Sequence, residues 1–171
     1  MSRAPNHLQR IAVQQGMSKL KKRNYSNAIP TDYVPVEITE RTALRAMFGE
    51  FAQKPSKDEM FKYWDHLAEC RNVLMFGAGH MREQTKLRGG DPQVFIDILA
   101  LCDRVKESML GIRDREKKTG KFGLSGDDRI NLAGLVETSS DFWRAQPAWF
   151  FRDCVAAARK VHIQRQQKRA A

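Results

Sequence analysis

The sequence predicts an all-α fold: an irregular bundle of four to five helices preceded by an extended basic N-terminal arm. Three observations lead there. From about Thr39 onward, apolar residues recur at spacings of three and four, the period of a helix face. Recognisable helix starts stand ahead of these stripes, and no run alternates as a half-buried strand would. The composition, 42% hydrophobic and 29% charged over 171 residues, suits one domain with a single core.

Residues 1–36 read as an arm and linker. Leu8, Ile11 and Ala12 could share a short helical face, but Gly16 follows, and Ser, Asn and two prolines interrupt the stretch after it. Residues 37–163 read as the bundle. Thr39 is placed to cap a first helix running to about Gln53, with Ala43, Leu44, Met47, Phe48 and Phe51 along one side. Ser56 and Glu59 have the spacing of a capping box, opening a second helix that carries Met60, Phe61, Trp64, Leu67, Leu74 and Met75. Gly77 and Gly79 are expected to break or kink that helix, or to let another helix approach closely. Asp91 and Pro92 then mark the start of a third, with Phe95, Ile98, Cys102, Val105, Met109 and Ile112 on its buried face. A polar, glycine-rich loop is expected over 115–128. Ser125 and Asp128 repeat the capping pattern for a fourth helix that ends near Ser139–Trp143. Pro147 starts the last helix, which carries Phe150, Phe151, Val155, Ala158 and Val161. Beyond Ile163 no large apolar residue remains, so residues 164–171 are expected to extend past the core as a basic tail.

The charge is unevenly distributed. The net charge is +10, with 30 Lys and Arg against 20 Asp and Glu. Residues 1–31 hold six bases and residues 154–171 hold five, and neither stretch contains an acid. The middle is close to neutral, with 19 bases against 20 acids. The chain is therefore a neutral body with two cationic ends. No run approaches the roughly 18 apolar residues of a membrane span. No secretory-type apolar core stands near the start. Cys70, Cys102 and Cys154 form no CxxC pair, which fits reduced, mostly buried thiols and a cytoplasmic location.

The patterns that could carry catalysis are weak. Gly77-x-Gly79 superficially resembles a dinucleotide-binding turn, but Arg82 stands where a third glycine belongs, and no βαβ unit surrounds it. His66 and Cys70 share a helix face, yet neither a metal site nor a nucleophile pair gains a further partner from the sequence. Residues 129–145 can be laid over a helix-turn-helix, but Glu137 takes the position of the turn glycine. The carboxylate pairs Asp127/Asp128 and Glu37/Glu40 stand beside no histidine. No catalytic residue, cofactor or metal is assigned, and the chain reads as a non-enzyme.

What remains is polyanion binding. The leading expectation is a small bacterial-type accessory or regulatory protein that binds nucleic acid, DNA or RNA, through its basic ends. Lys19, Lys21, Lys22 and Arg23 on the arm, with Arg159, Lys160, Arg165, Lys168 and Arg169 on the last helix, would contact phosphates. Tyr25 would stack on an unpaired base. Such contacts carry little sequence information, so any specificity would come from elsewhere, such as a homodimer. The alternative is a protein-interaction module, an adaptor or inhibitor, docking through the aromatic corner 142–151 with Phe142, Trp143, Trp149 and Phe150. Membrane binding is not expected, because the arm lacks a large apolar face.

Overall fold

A computed structural model describes residues 33–170, with the side chains of His162 and residues 165–170 excepted. Five helices follow one another: α1 (Val34–Met47), α2 (Lys57–Leu87), α3 (Gln93–Thr119), α4 (Gly126–Arg144) and α5 (Ala148–Ala170). No strand occurs among the described residues, so the all-α bundle is confirmed. No helix there is long and apolar enough to cross a membrane.

The first helix begins earlier than Thr39. Pro35 lies in its first turn, where a missing N–H leaves no bond unmade, and Tyr33 is the N-cap. Thr39 is therefore interior, and its hydroxyl donates to the Pro35 carbonyl at 3.0 Å. Val34–Val36 belong to the bundle rather than to a linker. The same helix stops at Met47, short of Gln53. Gly49 adopts φ +73°, its N–H reaches the Ala46 carbonyl, and Glu50 N–H reaches that of Arg45. This double bond pattern satisfies the last carbonyls and turns the chain away.

The second helix is 31 residues long and touches each of the other four. Its start is the expected capping box: Ser56 Oγ accepts from Glu59 N–H, and the Glu59 carboxylate accepts from Ser56 N–H at 2.8 Å. It runs unbroken through Gly77 and Gly79 to Leu87. Of the expected roles, Gly77 fills that of close approach. A Cβ there would lie 2.6 Å from Trp143 Cη2 and 2.8 Å from Phe142 Cε1, whereas one on Gly79 would meet nothing within 4 Å.

Asp91 accepts from Gln93 N–H at 2.9 Å, but it stands one residue before the N-cap of α3, which is Pro92 rather than Asp91. That helix reaches Thr119, which shortens the expected loop by a full turn. Ser125 and Asp128 form the second capping box, and Asp128 also pairs with Arg115 of α3. α4 is continuous through Glu137, so it holds no helix-turn-helix corner. The core is one cluster centred on Leu67, Leu74, Val105, Ile112, Leu135 and Trp143. Cys70, Cys102 and Cys154 are free, buried thiols.

Candidate nucleic-acid interface

Of the cations expected to contact phosphates, those within the described residues stand on the last helix. Its inner face carries Phe150, Phe151, Cys154 and Ala158, all buried, and Ala158 is the last buried residue of the helix among those described. The backbone stays helical to Ala170, another twelve residues and about 18 Å of rise. Arg159 and Lys160 lie exposed on the outer side. Arg159 Nε donates to Glu69 Oε1 of α2 at 3.1 Å, with Arg159 69% exposed and Glu69 44% exposed. Such open pairs are typically worth less than about 1 kcal/mol. Arg165, Lys168 and Arg169 lie on the helical backbone beyond them, in the stretch whose side chains are not described. Lys19, Lys21, Lys22, Arg23 and Tyr25 lie outside the described residues altogether.

The aromatic corner divides unevenly. Phe142, Trp143 and Phe150 are core residues. Trp143 is 1% exposed and stacks edge-on against Phe142 at 4.7 Å and Phe151 at 5.0 Å. These three rings cannot form the docking surface expected of them, because their faces are spent on one another and on Gly77. Of the four, Trp149 alone is exposed, at 58%.

A second feature was not anticipated. A groove of about 660 Å³ opens between α1, α2 and α5, with Val36, Val73, Phe151 and Val155 among its apolar walls. Glu40 and Cys70 line it too, and behind them lies a buried polar cluster. Tyr33 Oη donates to Glu40 Oε2 at 3.1 Å and lies 3.5 Å from Ser139 Oγ. Burial pushes the Glu40 carboxyl up to about 7; hydrogen bonds from Cys70, Tyr33 and Ser139 oppose that rise, and the nearby charge of Glu37 adds to it. Burial likewise holds the Tyr33 phenol and the Cys70 thiol well above their usual ranges, and the Glu40 charge adds to both. Cys70 is therefore a protonated thiol rather than a nucleophile. His66, one turn away, is exposed, and no group of three or more acids, cysteines and histidines that could hold a metal occurs among the described residues.

Glu37 illustrates the opposite case. Burial raises its carboxyl, but hydrogen bonds from Ser140, Arg144 and Arg41 outweigh that and hold it below the usual range. Arg144 donates to Glu37 Oε1 at 2.7 Å and Ser140 Oγ donates to it at 2.8 Å. These contacts lock α1 onto the end of α4. A signal for both acids was present. Tyr33, Glu37, Glu40, Ala43 and Met47 follow helical spacing, which places the two carboxylates on the inward stripe of α1.

Comparison with protein-family models, curated proteins and solved structures returned no match to this chain.

Proposed function

We propose that this protein binds nucleic acid through phosphate contacts made by the cations at its two ends, with the helical bundle as scaffold. The observation that carries the reading is the last helix. Its backbone continues past Ala158 while the sequence supplies five bases and no acid from Cys154 to the end. Cations near a helix C-terminus complement its dipole by roughly 0.3–1 kcal/mol each, which accounts for two or three such residues but not for five. The Arg159–Glu69 pair is open enough for a phosphate to displace the carboxylate. On this reading the protein is a non-enzymatic accessory or regulatory factor, and its three reduced thiols suit a cytoplasmic setting. The adaptor reading is less favoured, because three of its four aromatic residues are core.

The test is a titration of the full chain against a labelled duplex over a range of salt. Affinity should fall steeply, with a log–log slope of about −0.9 per phosphate contacted. Replacing Arg165, Lys168 and Arg169 with Gln should flatten that slope. Absence of binding at low salt, or a slope indifferent to the three substitutions, would overturn the assignment.

A further inference from the structure

We infer that Trp149 is a base-stacking platform, and that the strand this protein prefers is single. The inference rests on the nucleic-acid reading and names the form of polymer it takes.

The outer face of α5 carries a single ridge. Residues advance about 100° per position around a helix, so 149, 152, 156, 159 and 163 share one side, with 160 at its edge. Trp149, Arg152, Ala156, Arg159, Lys160 and Ile163 are all exposed. An indole thus opens the ridge and cations follow it along one helix, with Arg159 about 15 Å of helical rise from Trp149. The only acid in α5 is Asp153, which is exposed on the same side, next to Lys160 around the helix.

Trp149 is also held in place. Its ring meets Phe150 edge-on at 5.8 Å, and Phe150 is 6% exposed. Phe150 in turn packs against Trp143 at 5.9 Å and His80 at 5.2 Å. The indole therefore stands on a buried aromatic base while more than half of its own surface faces solvent. A ring that is fixed before the ligand arrives loses little freedom on stacking.

Why a single strand follows from what each polymer exposes. Phosphates are available on both, and the cations of the ridge bind either. The flat faces of bases are covered by their neighbours in a duplex and are free in a single strand. An exposed indole beside a cationic track gains from the second and not from the first.

The experiment compares binding of labelled oligothymidylate and a labelled duplex of equal length to the full chain, at low salt, for the wild type, Trp149→Ala and Trp149→Phe. Trp149→Ala should weaken oligothymidylate binding about tenfold and leave duplex binding unchanged. Trp149→Phe should retain most of the affinity, because it keeps an aromatic face. The salt slope should be the same in all three, since no cation is removed. Oligothymidylate should quench the tryptophan fluorescence of the wild type, and Trp149→Phe should abolish that component, a readout that does not depend on the alanine variant folding. If Trp149→Ala weakens both polymers equally, or neither, the platform is refuted while salt-dependent binding still stands. If the substitution instead dissociates an oligomer seen by sedimentation, Trp149 is a protein contact and the platform is again refuted. If neither polymer binds the wild type, the nucleic-acid reading fails and the platform falls with it.

Discussion

Glu40 sits at 3% exposure, with a tyrosine, a serine and a cysteine for company and no cation bonded to it in the cluster. A carboxyl so placed keeps its proton to a higher pH in the folded chain than in the unfolded one. The sign of the linkage follows. The folded state holds more protons between the ordinary carboxyl range and about pH 7, so stability falls as pH rises through that window. Between pH 5 and 8 the loss should be about 2 kcal/mol, read as a drop in urea midpoint. Glu40→Gln should remove this component; a variant that keeps the full wild-type drop would show that another group titrates. Glu37 contributes with the opposite sign and in a more acidic range, because Ser140, Arg144 and Arg41 favour its charged form. The two acids are three residues apart in one helix and look alike in sequence. What distinguishes them is which residues of α4 lie opposite, and that depends on how α1 docks.

Helix boundaries were legible where the chain carries its own signals. Ser56 with Glu59, and Ser125 with Asp128, each complete a bond set within four residues, so no distant partner is needed. The start of α1 is less legible: Thr39 has the residue type of a cap, but Pro35, two turns before the core-facing Ala43, suits the first turn and the helix begins there. Close approach is one of the roles the sequence allows Gly77 and Gly79, but which of the two fills it is not legible there. Both lie in the interior of α2, and only the position of Phe142 and Trp143 on another helix makes them different. Alanine substitution should separate them. Gly77→Ala drives a methyl group into two packed rings and should cost about 2 kcal/mol, the overpacking penalty exceeding the gain in helix propensity. Gly79→Ala meets open space and should stabilise by up to about 1 kcal/mol. Urea unfolding of both variants checks this, and a shared sign would contradict the packing seen at the α2–α4 crossing.

At the scale of the whole molecule, the design is a neutral bundle with cations at its extremities. If both ends grip the same polyanion, their contributions to the salt slope should add. Replacing Lys19, Lys21, Lys22 and Arg23 with Gln should lower the slope by one increment, Arg165, Lys168 and Arg169 by another, and the combined variant by the sum. A combined variant no flatter than one of the partial ones would mean that only one end binds. The sequence by itself determined the helical class, both capping boxes and the separation of charge, because each arises from residues close together in the chain. Only the tertiary structure decided which aromatic ring of the 142–151 corner stays outside, which glycine must remain a glycine and which glutamate keeps its proton to a higher pH. Those outcomes are set by neighbours tens of residues away, whose approach local patterns do not encode.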